Sequence, residues 1–127
     1  MNETFIILFS WTIHLSGYPV AMMPDVQFKP HSFFVENACL GRECKVEGWY
    51  NDKYIVYIDE KHSDLNGFSS SLVVHEFTHY LQHLNGMTDS CERERQAYNV
   101  QNEYIREVLA TVYSIPRRGC YESSYGN

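Results

Sequence analysis

The segment LVVHEFTHYLQH, residues 72–83, places His75, Glu76 and His79 in an otherwise apolar run. His75 and His79 are four residues apart, so on an α-helix both imidazoles project from the same face, about one turn apart. Apolar neighbours bury such a helix on most sides, and polar groups buried there are costly without partners. The segment therefore predicts a core helix whose two imidazoles bind one metal ion.

Glu76 completes the pattern H-E-x-x-H. Because it follows the first histidine directly, its carboxylate can reach a metal-activated water and act as the general base. The pattern alone arises by chance in about 2% of chains with this composition. A third ligand elsewhere in the sequence is therefore needed to support a metal site.

Glu94 is the predicted third ligand. On a helical wheel at about 100° per residue, the side chains within about 60° of Glu94 are Ala97, Tyr98, Gln101, Ile105, Val108 and Val112. Glu92 falls about 160° away on the polar side, and its spacing from Asp89 is that of a capping interaction. A bare carboxylate on an apolar face is expensive, and binding a metal removes that cost.

His83 is a weaker alternative as the third ligand. It lies eight residues after His75, which is about 12 Å along a straight helix. Metal–nitrogen bonds of about 2.0–2.1 Å cannot bridge that span. His83 is therefore expected to be a solvent-side or core histidine.

Two histidines, one carboxylate and an open position are typical of a catalytic rather than a structural zinc site. The pattern His75-Glu-Phe-Thr-His79, fourteen residues, then Glu94-Arg-Gln-Ala-Tyr98 resembles the gluzincin branch of zinc metallopeptidases, especially its small, minimal members. The specific match covers residues 71–98. The resemblance implies a zincin-like fold, one Zn²⁺ held by His75, His79 and Glu94, and Glu76 as the general base.

The resemblance also implies a peptide or protein substrate that pairs with a strand, which we place at residues 53–58. The metzincin branch is excluded, because it requires Gly and His where this chain has Gln82 and Asn85. Tyr98 stands where many gluzincins carry Asp or Asn as a partner for a histidine. Its hydroxyl could donate to a ligand or an intermediate, so we predict a catalytic role. Further candidates for stabilising the oxyanion are Tyr80, Tyr54, Tyr57 and His62.

The pattern of elements predicts one α+β domain over residues 1–127, with a small, mainly antiparallel sheet and three helices. The predicted helices are an N-terminal helix within 1–17, covering 3–15; the H-E-x-x-H helix, from a cap within Ser69–Ser71 to Asn85-Gly86; and a helix from Asp89 to Ser114, before Pro116. The predicted strands are 25–30 and a tight hairpin of 46–50 and 53–58 around Asn51-Asp52. The segment 31–39 is ambiguous between a helical turn and a strand, and 116–127 is expected to be a loosely ordered tail.

Charge and cysteine content limit partners and compartment. The net charge is −6 and no basic stripe is present, so a nucleic-acid partner is not expected. The N-terminus lacks a cationic signal-peptide region and is too polar to span a bilayer, which predicts a cytoplasmic protein unless a signal was trimmed. Cys39 and Cys44 could form a disulfide in an exported protein, whereas a Cys91–Cys120 bridge would be strained. The oligomeric state stays open.

The sequence is compatible with three interpretations of the function. The first is a zinc-dependent hydrolase of peptide bonds. The second is a regulatory or binding module that keeps the zinc site and hydrolyses little. The third is a structural domain in which the motif is fortuitous. Metal content separates the third from the others, and cleavage of peptides separates the first from the second.

Overall fold

The computed structural model describes residues 3–111. In chain order the elements are α1 (Glu3–Ser16), β1 (Asp25–Lys29), α2 (His31–Asn37), β2 (Gly48–Tyr50), β3 (Ile55–Asp59), a 3₁₀ turn (Glu60–His62), α3 (Phe68–Leu84) and α4 (Ser90–Glu107). The α+β class is confirmed. The expected helix count is wrong, because the ambiguous segment after Pro30 forms α2 and buries Phe34, giving four helices within residues 3–111.

The sheet is mixed rather than mainly antiparallel. Its order is β1-β3-β2, with β1 parallel and β2 antiparallel to β3. The hairpin of β2 and β3 was expected, but the placement of β1 beside β3 depends on packing that local sequence does not encode. The central position of β3 also contradicts the substrate strand predicted at 53–58. Both edges of β3 are already paired, whereas β2 pairs on one side only among the described residues.

The β2–β3 loop, residues 51–54, is longer than the predicted two-residue turn. Asp52 and Tyr54 both take left-handed backbone conformations, with φ of 65° and 68°. Such conformations are uncommon for residues other than glycine. The wider loop moves the start of β3 from residue 53 to Ile55, whereas β2 ends at Tyr50 as predicted and begins at Gly48 rather than at residue 46.

The two faces of the sheet pack differently. Val56 and Ile58 are fully buried in the main core, on the face that α3 covers. Tyr57 projects to the opposite face because side chains alternate along a strand, and there its ring contacts Phe33 and Trp49. The helix α3 contacts α1, α4, β2 and β3, and twelve of its seventeen residues are buried. It is therefore the central element of the core.

Local sequence signals predicted the start of α4 correctly but not the start of α3. Asp89 caps α4 by accepting from the amide of Glu92 (3.1 Å), as predicted. The helix α3 begins at Phe68, before the predicted serine cap. The hydroxyls of Ser70 and Ser71 instead donate to backbone carbonyls within the first turn.

The C-terminal helix is shorter than predicted. It ends at Glu107, and Ala110 takes a left-handed φ of 54°, which a continuing helix does not permit. The predicted end at Ser114 before Pro116, the tail 116–127 and the Cys91–Cys120 question all involve positions outside the described residues.

Cys39 and Cys44 form a disulfide. The sequence made this bridge conditional on export, and the compartment stays a prediction. None of the helices within residues 3–111 is both long enough and apolar enough to cross a membrane.

Candidate metal centre

The packing of α3 against α4 brings the three predicted ligands together. Nε2 of His75 lies 3.4 Å from Oε1 of Glu94, and Nε2 of His79 lies 3.1 Å from Oε2. The three side chains are buried, and one ligand atom from each falls within 4.8 Å of the others. This buried cluster could hold a metal ion.

The polar atoms of the cluster lack ordinary partners. Nε2 of His75, Nε2 of His79 and Oε1 of Glu94 are buried and have no hydrogen-bond partner among residues 3–111. Their close approaches therefore do not have hydrogen-bond geometry. Leaving a buried polar group unsatisfied costs about 1–3 kcal/mol, and native structures contain few such groups. A cation bound between the three side chains would satisfy all three atoms, so the residues present fit a metal.

A glutamine fixes the orientation of the His75 ring. Nδ1 of His75 lies 2.9 Å from Oε1 of Gln101. The hydroxyl of Ser71 donates to the carbonyl of Phe68 (2.7 Å), so its oxygen accepts from Nε2 of Gln101 (3.0 Å). That contact determines which way the amide faces, and the carbonyl oxygen must face the imidazole. Nδ1 of His75 therefore carries the hydrogen, and Nε2 presents its lone pair to Glu94.

A second glutamine does the same for His79. Nδ1 of His79 lies 2.8 Å from Oε1 of Gln82. The amide of Gln82 donates to the backbone carbonyl of Arg93 (2.9 Å) and to Oε1 of Gln96 (2.8 Å). Both acceptors fix the orientation of the amide, so Nδ1 of His79 donates and its Nε2 is free for a metal.

Sequence reasoning missed these two roles. The helical wheel places Gln101 on the buried face, where the expected hydrogen bond is to backbone or to Gln82, but Gln101 bonds His75 and Ser71 instead. The available signals were that Gln82 lies three residues after His79, and that Gln101 lies seven residues, two helical turns, after Glu94. Spacing places each glutamine on the face of the ligands, but only the packing of α3 on α4 identifies its partner.

Glu76 is packed closely against the edge strand β2. It is buried, and its Oε1 has no hydrogen-bond partner among the described residues. A Cβ added at Gly48 would lie 2.9 Å from Oε2 and 3.1 Å from Cγ of Glu76. A separation under 3.0 Å is essentially never seen for a real Cβ atom, and 3.1 Å is tighter than most Cβ contacts, so a glycine at position 48 lets the carboxylate occupy this place.

Burial and charge shift the pKa values of the cluster. Burial, with a contribution from the negative charge of Glu94, raises the pKa of Glu76 well above its usual value. Burial lowers the pKa of His75, which favours the neutral ring that metals bind. Burial alone would raise the pKa of Glu94, but the imidazoles of His75 and His79 outweigh it and hold the pKa at about 2. The cluster thus combines a Glu94 carboxyl and a His75 ring whose pKa values are lowered with a Glu76 carboxyl whose pKa is raised.

The alternatives to the third ligand lie elsewhere. Glu92 is half exposed, on the polar side of the helix as the helical wheel predicted, and forms an ion pair with Arg95 (3.0 Å). Nδ1 of His83 lies 2.6 Å from the hydroxyl of Tyr50, and His83 is not part of the ligand cluster. Helical periodicity separated Glu94 from Glu92, and the distance along the helix from His75 excluded His83.

Tyr98 lies beside the cluster. Its ring packs edge-on against the ring of His75, with 4.7 Å between centroids. The contact helps to hold His75 in place. A catalytic role for the hydroxyl stays a prediction.

The other candidates for oxyanion stabilisation differ in position. Tyr57 is wrong, because it projects from the sheet face opposite α3. The hydroxyl of Tyr80 donates to the carbonyl of Met22 (2.6 Å). His62 lies between Glu47 and Ser69, at 2.8 and 2.7 Å. Tyr54 is exposed, and its ring packs at a tilt against the ring of His83.

Comparison with known proteins adds no relative. No protein-family model matches the chain, and no curated protein or solved structure gives a significant match.

Proposed function

We propose that this protein is a zinc-dependent hydrolase of peptide bonds, with the ion held by His75, His79 and Glu94. The supporting observation is the set of buried ligand atoms that lack partners, combined with Nδ1 hydrogen bonds that direct both Nε2 lone pairs at one carboxylate. Neutral nitrogen and carboxylate oxygen are the donors that zinc takes in catalytic sites. The gluzincin resemblance adds the peptide substrate.

Zinc, when bound in such a site, acts as a Lewis acid and lowers the pKa of water toward about 7. Glu76 performs the proton transfers. Its raised pKa lets the carboxylate accept a proton from the attacking water and deliver it to the amine that leaves. Gly48 leaves room for the carboxylate at this position, where a larger side chain would collide with it.

The edge strand β2 offers a surface for an extended peptide. The amide of Asp59 donates to the carbonyl of Glu47 (2.8 Å), which makes this a hydrogen-bonded pair of the antiparallel ladder. Bonded and non-bonded pairs alternate, so the backbone groups of Gly48 and Tyr50 point away from β3. A peptide can add to those groups as a further strand, beside the carboxylate of Glu76.

A second candidate is a zinc-binding module with little or no peptidase activity. It is favoured by the burial of the site, since His75, Glu76, His79 and Glu94 are only 3%, 2%, 2% and 6% exposed. A scissile peptide bond must come within hydrogen-bond reach of a general base. A site this enclosed has to open before that can occur.

The two candidates are separated by comparing the wild type with Glu76→Gln. The proposal expects both proteins to bind one zinc ion, while cleavage of a broad peptide library falls by at least about 10²-fold in the variant, because its amide cannot accept the proton. Glu92→Gln serves as the control, since this exposed carboxylate should affect neither property. Stoichiometric zinc without wild-type cleavage would favour the binding module, and absence of zinc would reject both.

A further inference from the structure

We infer that Arg93 is a positioning residue that couples the β2–β3 loop to the metal ligand His79. This inference rests on the proposed metal site. Arg93 precedes Glu94 on α4, but its side chain runs toward the loop, where it meets Asp52. Among the described residues, Arg93 connects the loop of the β2–β3 hairpin directly with the hydrogen bonds around the candidate metal centre.

The guanidinium of Arg93 contacts both partners at once. Nη2 donates to Oδ1 of Asp52 at 3.0 Å, and Nη1 lies 3.5 Å from Oδ2. Nε donates to Oε1 of Gln82 at 3.3 Å. The planar fork of arginine carries several donors in fixed relative positions. Its orientation therefore links the position of the loop to the position of the Gln82 amide.

Gln82 connects Arg93 to His79 by hydrogen bonds. Its Oε1 accepts from both Nε of Arg93 and Nδ1 of His79 (2.8 Å). Its amide nitrogen donates back to the carbonyl of Arg93 (2.9 Å). Gln82 is thus held by the side chain and the backbone of the same residue, and a displacement of Arg93 changes the acceptor that orients the imidazole.

The loop end of this chain of contacts is constrained by α3 as well. Asp52 has a left-handed backbone, a conformation that persists when surrounding contacts fix it. The amide of Tyr54 donates to the hydroxyl of Tyr50 (3.3 Å), which bonds His83. The loop, the outer end of β2 and His79 are therefore positioned together. Occupation of the β2 edge by a peptide would act on the metal ligand through Arg93.

The test compares Arg93→Met and Asp52→Asn with the control variants Arg95→Met and Glu92→Gln. Arg95 and Glu92 form an ion pair on the same helix at 3.0 Å, whereas the hydrogen bonds of Gln82 go to His79, Arg93 and Gln96. The readouts are zinc affinity by competition with a chelator, the visible spectrum of the Co²⁺-substituted protein, and the thermal midpoint of each metal-free protein.

Arg93→Met is expected to weaken zinc binding by about 10–100-fold, the range seen when partners of metal ligands are removed. Asp52→Asn is expected to weaken zinc binding less than Arg93→Met does, and to shift the Co²⁺ bands. Arg93→Lys should not restore the wild-type affinity, because one ammonium group cannot reproduce the two-sided contact.

Equal zinc affinities for Arg93→Met and Arg95→Met would overturn the inference, and so would Co²⁺ bands in Asp52→Asn that match the wild type. If Arg93→Met does not fold, the exposed loop substitution Asp52→Asn decides alone. Failure of the wild type to bind zinc would instead reject the proposed function, so the two failures are distinguishable.

Discussion

Replacing Gln101 with methionine tests whether the glutamine network prepares the metal site. Methionine is close in volume but offers no carbonyl oxygen. Nδ1 of His75 would lose its 2.9 Å acceptor, and the hydroxyl of Ser71 would lose the 3.0 Å donor. His75 is only 3% exposed, so water is poorly placed to replace the amide. The ring would then no longer be held with Nε2 toward Glu94.

The magnitude follows from two separate effects. Loss of a hydrogen-bond partner of a metal-ligating histidine costs about 10–100-fold in metal affinity, which is about 1.4–2.7 kcal/mol. The buried N–H left without an acceptor also lowers the free energy of unfolding of the metal-free protein by about 1–3 kcal/mol. For a chain of this length, each kcal/mol lowers the thermal midpoint by roughly 3–5 °C.

The measurements are zinc affinity from competition with a chelator and thermal unfolding with and without zinc. Gln101→Glu keeps an acceptor and adds negative charge, so it should bind zinc at least as tightly as the wild type. Gln27→Met, whose amide bonds Asp25 on β1, is the control for a surface glutamine. Wild-type zinc affinity in Gln101→Met would refute the assignment of Gln101 as the residue that orients His75.

Two further predictions concern the edge strand and the disulfide loop. Gly48→Ala should lower kcat by about 10²-fold with zinc retained, because its Cβ displaces the Glu76 carboxylate; unchanged kcat in a zinc-loaded Gly48→Ala protein would contradict the packing argument. The hydrogen bond to Asp59 raises the pKa of His31 above its usual value of 6.5. The stability that this contact gives the wild type is therefore fully present below pH 6.5 and is lost as the pH rises through the raised pKa. His31→Gln should accordingly lower the free energy of unfolding at low pH and change it less at high pH. Urea unfolding of both proteins on either side of pH 6.5 checks this, and a difference that grows with pH would have the wrong sign.

The part of the site that sequence could predict is the part that helical periodicity determines. Spacing places His75 and His79 on one face, and the wheel separates Glu94 from Glu92 before any tertiary contact is known. The role of Gln101 was not predictable in the same way. Its face was clear, but its partner depends on the register between α3 and α4, which no single segment of sequence specifies.

The sheet shows the same limit at a larger scale. The hairpin of β2 and β3 is local and was expected, although its loop is longer than the Asn51-Asp52 signal indicates. The order of the strands was not predictable, because β1 joins the sheet from a distant part of the chain and pairs with β3. This pairing occupies the second edge of β3 and leaves β1 and β2 as the edge strands of the described sheet. A substrate strand at 53–58 was thus wrong for a topological reason, while the contact of Gly48 with Glu76 supports an edge beside the site.

The hydrogen bonds of Gln82 and Gln101 to the two histidines also bear on Tyr98, where the sequence differs from the gluzincin pattern that it resembles. Where many gluzincins carry Asp or Asn, Tyr98 packs its ring on His75, and Gln101, one helical turn later, accepts from Nδ1. Gln101 therefore supplies the hydrogen-bond acceptor for His75 from a position one turn after Tyr98 on α4. Both supporting groups are neutral carboxamides, so they orient the imidazoles without adding the negative charge that a carboxylate partner would bring. If a divalent ion is bound as proposed, rings supported by neutral groups would leave it more positive charge for polarising a carbonyl and acidifying water than rings supported by carboxylates would.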